Sequence, residues 1–341
     1  MFKNIVIVEY INYRYVFKLY FDFDMMAKKC SRNWKRMDVQ EGMSVKEITK
    51  EFAGAGYAGK RLSEAVEIYK QMIDDGKCIK FVSAAGALIA GGMRNVFVKF
   101  IRAGAVDCML FTGAILTHDL IEAFGVKHFQ GTCDVDDVDL HKQGIFRMYD
   151  VYLEKKGFLV LEEELQKIFP KLPQKEMSPK EFLYELGKYI NDENSIIKAC
   201  HDMNVPIFCP SFTDSVLGFQ AWMYSQFKKF SVNSQLDIKD FINFAWQQGK
   251  TFGLLILGGG VPKHFVPLMM QVSGNSLSYT IQITMDRPEH GGVSGMQIRE
   301  AKSWGKIDEK GQICDMRADI TLAFPLLVAN ILDYLKEKRK I

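Results

Sequence analysis

The chain has 341 residues, 48% of them hydrophobic and 25% charged, with a net charge of +3. That length can bury a large core as one domain or two, and so small a charge excludes a surface built for nucleic acid. No apolar run approaches the ~20 residues of a membrane helix, so no membrane partner is expected. Seven cysteines, an odd number with no Cys-x-x-Cys pair, fit a reducing, cytoplasmic setting. They argue against a disulfide framework and a structural metal site.

The opening residues 1–24 are apolar and aromatic but broken by Lys3, Glu9, Arg14 and Lys18, which is unlike a signal peptide. Met25 and Met26 offer an alternative start. Residues 1–45 read as an N-terminal extension and residues 46–341 as the folded domain. Residues 46–76 carry Leu62, Ala65, Val66, Tyr69 and Met72 at helical spacing. Residues 80–83 form a short buried strand, and the small-residue turn 84–87 leads to an apolar helix ending near Gly104. The next strand, 106–111, runs into Thr112-Gly113-Ala114, with a helix expected from Asp119. Residues 153–204 are helical and charged, an insertion against the sheet edge. Strand 205–209 then precedes a helix from about Val216. Strand 252–257 ends in Gly258-Gly259-Gly260 before a helix near Pro267. Strand 279–285 and a helix over 322–335 close the chain. Strand, small-residue turn and helix in alternation predict one α/β domain with a mostly parallel sheet flanked by helices.

Ligands of such sheets sit beyond the carboxyl ends of strands, where glycines let backbone amides approach a pyrophosphate. Gly258 and Gly259 occupy one such end, and Thr112, Gly113, Ala114, Asp214 and Asp319 occupy others. The two carboxylates are candidates for ribose hydroxyls or for simple helix caps. His264, six residues past Gly258, can exchange a proton near neutral pH. The acidic run 134–139, flanked by His128 and His141, matches no metal spacing and reads as helix capping. Lys306 ends the segment Ser303-Trp304-Gly305-Lys306. A partly desolvated amine there is a usable imine-forming nucleophile, although spacing alone favours a surface lysine at a helix end.

The segment EHGGVSGMQIREAKSWGK, residues 289–306, resembles the signature of deoxyhypusine synthases. TGAILTHDLIEAFG, HFQGTCDVDDVDLHKQGI, PIFCPSFTDSVLGFQ, LLILGGGVPKHF and ADITLAFPLLVANIL resemble other blocks of that family, in family order. The resemblance implies a Rossmann-like homotetramer with sites shared across dimer interfaces. It implies that NAD oxidises spermidine and that the aminobutyl group passes through a Lys306 imine to one lysine of the hypusine-bearing translation factor. By motif match His264 is the base, and His118, Glu300 and Trp304 stand where the polyamine is held. Thr112, Gly113, Ala114, Asp214, Gly258, Gly259 and Asp319 fall to NAD. The chain departs from the animal enzymes at Thr117, His118, Phe219, His290 and Val293, where those carry carboxylates. Each lost carboxylate removes a partner for an ammonium, typically worth ~1.5–3 kcal/mol. Transfer to a small diamine, as in homospermidine synthases, is therefore an alternative. So are a non-catalytic paralogue supporting an active subunit and a generic nicotinamide dehydrogenase.

Overall fold

A computed structural model describes residues 36–339. The expected segment 1–24 and most of the expected extension lie outside the described residues. Six strands, β1 (Cys78–Ala84), β2 (Cys108–Phe111), β7 (Ile207–Phe208), β9 (Thr251–Leu257), β10 (Leu277–Thr284) and β11 (Ile307–Arg317), form one parallel sheet in the order β11-β10-β9-β1-β2-β7. From β1 the chain builds outward through β2 to β7, then returns to lay β9 on the other side of β1 and builds outward again. The strand order therefore reverses between β1 and β9, where Ala84 pairs with Leu257. A crevice at the carboxyl end of that pair is the position such sheets give to ligands.

Alternation along each strand divides the core between two faces. Val82, Ala84, Met109, Phe111, Leu255 and Leu257 pack on one side, under α2 (Tyr57–Asp74), α3 (Arg94–Arg102), α4 (Gly113–Ala123) and α12 (Ile320–Lys338). Ile79, Phe81, Cys108, Leu110, Leu254 and Ile256 pack on the other, against α10 (Gln235–Ala245) and α11 (Gly260–Val272). Buried on both faces, these strands read as continuous apolar runs. No helix among the described residues is long and apolar enough to cross a membrane.

Several expectations shift. The helix expected over 46–76 is two, α1 (Val45–Glu51) and α2, broken after the short helical turn Phe52–Gly54. Gly56 is extended and Tyr57 adopts φ 54°, a left-handed conformation uncommon for a residue with a bulky side chain. The helix expected from Asp119 begins at Gly113, and Ile115, Leu116 and Thr117 are all buried, so no one-faced pattern marked its start. Strand β11 was not anticipated. It carries Asp308, Glu309, Lys310 and Asp315, the polar habit of an edge strand.

The insertion expected as helical over 153–204 begins earlier and starts with a three-stranded antiparallel sheet, β3 (Phe129–Gln130), β4 (Ile145–Met148) and β5 (Val151–Glu154), with α5 (Asp137–Lys142) between β3 and β4. Then come α6 (Lys156–Ile168), β6 (Glu176–Met177), α7 (Pro179–Gly187) and α8 (Ile196–Asp202), and β6 pairs with β8 (Ser231–Val232). The insertion is tied to α4 by Asp119, which is fully buried. That carboxylate accepts from Arg94 Nε at 2.7 Å, from the Ser195 hydroxyl at 2.8 Å and from the amides of Ile196 and Ile197. A buried carboxylate with four donors is satisfied on both oxygens and caps α8 as well.

Candidate active site

Two features meet at the sheet: its carboxyl edge, and a pocket on the α11 face. At the edge, Gly258 takes φ +85°, and an added Cβ would lie 3.2 Å from the Ala85 carbonyl oxygen, a conformation that penalises any side chain. Its amide donates to Ile283 O at 2.9 Å. Thr112 stands at the N-cap of α4 without capping it, and its buried Oγ1 has no partner among the described residues. Among those residues the buried hydroxyl of Ser83, in β1, has none either. Orphaned hydroxyls beside a glycine turn suit a ligand rich in hydrogen-bonding groups. Ala114 and Asp214 are exposed along the same edge. Asp319 is exposed too, and its carboxylate accepts from the Thr321 amide at 2.7 Å as the cap of α12. Gly113 and Gly259 are required by the chain itself. A Cβ on the first would lie 2.4 Å from the Ser215 side chain, and on the second 2.2 Å from that of Ser294.

The pocket has a volume of about 220 Å³ and is lined by Ile256 of β9, Thr280 of β10, Lys263 and His264 of α11, then Val293, Trp304 and Lys306. Gly305 turns the chain at φ +67°, the amide of Lys306 donates to Ala301 O and its carbonyl accepts from Leu277 N. The backbone of Lys306 is thereby fixed at the start of β11. Its half-buried side chain carries Nζ 5.2 Å from the Trp304 ring centroid, within cation–π range. The His264 imidazole is held below its usual range, first by burial and then by the Lys306 charge. The two groups thus sense each other electrostatically.

Lys263 had no role in the sequence reading beyond standing next to His264. It is 1% exposed, and its ammonium donates to the carbonyls of Val293, Ser294 and Met296. Burial pushes it down to about 8, against the pull of Asp315. With three protons on three carbonyls it is an anchor for segment 293–296 and not a free nucleophile. That segment links the two features, since Val293 lines the pocket while Ser294 abuts Gly259.

Asp286, just past β10, was also missed. It accepts from Ser294 Oγ, His290 Nδ1 and the Arg287 amide, and the Ser294 bond above all holds its carboxyl down to about 2. Its place after a strand end, like that of Asp214 and Asp319, was the available signal.

The structure gathers Lys306, His264 and Trp304 in one pocket. Glu300 is exposed outside that lining, with Oε1 accepting the Gln297 amide at 3.2 Å in a capping box. His118 lines a different cavity, between α4 and α6. Of the departures, His290 is bound to Asp286, Val293 lines the Lys306 pocket, Thr117 is buried and Phe219 is exposed on α9 (Val216–Ser225). Among the described residues, no cluster of three or more His, Cys, Asp or Glu is arranged to hold a metal.

Comparison with known proteins places these features in a wider setting. The family description "Deoxyhypusine synthase" matches residues 47–331. "Probable deoxyhypusine synthase 1" of Methanosarcina mazei is 41% identical over 310 residues, 91% of this chain and 98% of that one. "Probable deoxyhypusine synthase" of Methanothermobacter thermautotrophicus is 36% identical over 306 residues, 89% and 99% of the two chains. A crystallised Entamoeba histolytica chain assigned to deoxyhypusine synthase superposes with a TM-score of 0.60 at 16% identity, covering 87% of this chain and 96% of that one. That last likeness bears on the fold alone.

Proposed function

The chain belongs to the deoxyhypusine synthase family, and we propose that it transfers the aminobutyl group of spermidine, by way of an imine on Lys306, to a lysine of the hypusine-bearing translation factor. The supporting observation is that Lys306, His264 and Trp304 share one apolar pocket whose wall, Val293–Ser294, also closes on the glycine turn of β9. Thr112, Gly113, Ala114, Asp214, Gly258, Gly259 and Asp319 would hold NAD, which when bound supplies a hydride acceptor and later a hydride donor.

The chain's own residues do the rest. Lys306 Nζ, fixed by its backbone and by Trp304, forms a C=N bond to the four-carbon fragment, and the remainder of the polyamine leaves as a diamine. His264, kept neutral by burial and by the neighbouring ammonium, takes the proton that Lys306 must lose to attack. Apolar walls from Ile256, Val293 and Ile298 exclude water that would hydrolyse the imine. The acceptor amine then displaces Lys306, which returns to its starting form. His118 and Glu300, outside the pocket of their own chain, would face the polyamine of an adjoining subunit in a cytoplasmic homotetramer. Residues 46–341 would form the one catalytic domain, with residues 1–45 an extension to it.

The test is borohydride trapping with labelled spermidine and NAD, followed by peptide mapping. Label on the peptide bearing Lys306 is expected, and label absent from it would end the proposal. The uncharged side chain of Val293 in this pocket favours a second reading, transfer to a small diamine. Labelling of putrescine, with none on the translation factor, would select it.

A further inference from the structure

Beyond the Lys306 pocket, three side chains form a line through the protein. The Glu122 carboxylate lies 2.7 Å from His128 Nδ1, and His128 Nε2 lies 2.9 Å from His118 Nδ1. The rings are 4.9 Å apart, and the His128 side chain is only 4% exposed. Arg94, clamped by Asp119 and Asp192, stands 3.8 Å from the other Glu122 oxygen. The line joins two cavities. Glu122 and His128 border a polar one of about 650 Å³ that also includes Asp150. His118 borders an apolar one of about 470 Å³ with Phe146, Met148, Leu153, Phe158 and Val216, where Lys155 is the cation in the lining.

The proton positions follow from donor and acceptor capacity. An ionised carboxylate only accepts, so His128 carries its proton on Nδ1. A neutral His128 then accepts at Nε2, so His118 must donate from Nδ1, and which nitrogen of a histidine is bare is set by the bond the other makes. Among the described residues His118 Nε2 is left with no partner, beside the apolar cavity. Burial and the neighbouring His128 hold the His118 ring down to about 4, so it is neutral at working pH.

The geometry points to Glu122 as the remote counter-ion, through His128 and His118, of a primary alkylamine whose methylene stem fills the cavity of Phe146, Leu153 and Phe158. The ammonium donates to His118 Nε2, which the bonds from His118 Nδ1 to His128 Nε2 and from His128 Nδ1 to Glu122 keep bare, and it keeps its own proton, because an alkylammonium holds a proton far more tightly than a carboxylate does. Its charge is thereby matched by Glu122 across the two rings, although among the described residues no carboxylate borders the cavity. Glu122 and His128 are positioning residues in this scheme. The inference rests on the reading of His118 as a polyamine-facing group, but its test does not require turnover.

The experiment is NMR of the full chain with nitrogen-labelled histidine, titrated with n-butylamine and, as a control, 1-butanol. Wild type is expected to show His118 protonated on Nδ1 and bare on Nε2, with the Nε2 resonance shifting on butylamine, much less on butanol, and neither ring changing tautomer. Glu122→Gln should weaken the butylamine shift and raise KM for spermidine roughly 2- to 10-fold, the scale of one lost hydrogen bond, with kcat little changed. Glu122→Asp should restore part of the response, which separates the relay from a purely structural loss. A His118 protonated on Nε2 in the free protein, or a butylamine response unchanged in Glu122→Gln, would overturn the inference. Absence of spermidine turnover in wild type with the NMR response intact would instead sink the transferase reading alone.

Discussion

Two cavities of this chain set a basic group against an apolar wall, and they tame it by different means. At the Lys306 pocket a second lysine is present, but Lys263 has its three protons fixed on the carbonyls of Val293, Ser294 and Met296. Of the two lysines in that lining this leaves Lys306 as the proposed nucleophile, with Trp304 as its ring neighbour. At the His118 cavity side chains in series, Glu122 and His128, fix the imidazole. An amine is selected here by immobilising its rival, and an imidazole by dictating its tautomer.

The largest effect that sharpens the contrast comes from Lys306→Ala. Product should vanish while NAD affinity, followed by fluorescence titration, stays within a few-fold, because Lys306 lies outside the glycine edge. An untouched rate would mean that Lys263 or another amine carries the chemistry. His264→Ala should slow turnover on the order of 10²–10⁴-fold, the scale of a lost general base. Single-turnover trapping should place the delay in imine formation.

Lys263→Met should act on stability before activity. It strips donors from carbonyls that Lys263 now satisfies, at about 1–3 kcal/mol for a buried unpaired group, less the relief of no longer burying a charge. A net loss of about 2–4 kcal/mol in denaturant unfolding at constant slope is expected. Faster amide exchange confined to residues 293–296 would show that the wall, and not the global fold, depends on this lysine.

The imidazole cavity should announce itself in acid. The His118 pKa falls from 6.5 to about 4 on folding, so between those values the unfolded chain binds more protons and stability rises with pH. The contribution is complete above about pH 6.5 and is lost as pH falls through 4, amounting to about 3 kcal/mol. Buried Asp237, raised to about 6 by burial, works in the opposite sense over part of this range. The useful quantity is therefore the difference between wild type and His118→Asn, which should lose less stability between pH 6.5 and 4. Parallel curves would mean that His118 is as solvated in the native state as in the unfolded one.

The two cavities also differ in how far the sequence disclosed them. Gly258, His264, Trp304 and Lys306 drew their roles from the resemblance of their blocks to a family, because spacing alone suits a surface lysine and a plain turn, while the alternation of strands and turns placed the glycines at the carboxyl edge. Strand β11 escaped because its charged residues hide any apolar period, and the start of α4 because it is buried all round. Lys263 was legible only as a letter beside His264, since burial at 1% depends on segment 293–296 folding over it. The Glu122–His128–His118 line was opaque for a similar reason. His118 and Glu122 share a helix, but His128 arrives from the loop before β3, and no spacing rule links a helix face to a loop whose path the tertiary fold decides.

The smallest expected effect asks whether Lys306 and His264 operate as a unit. Two causes hold the His264 imidazole down, burial first and the Lys306 charge second. Removing the ammonium in Lys306→Ala leaves the burial cause in place. The imidazole should rise toward its ordinary value of about 6.5 without reaching it, as read by NMR titration of the His264 ring. Exchange of Lys306 for Met, which keeps the stem and its packing on Trp304, should give the same rise, so that a change in burial cannot imitate a change in charge. An imidazole that titrates identically in wild type and both variants would place the ammonium too far away to trade a proton with it, and the contrast between the two cavities would then lose its first half.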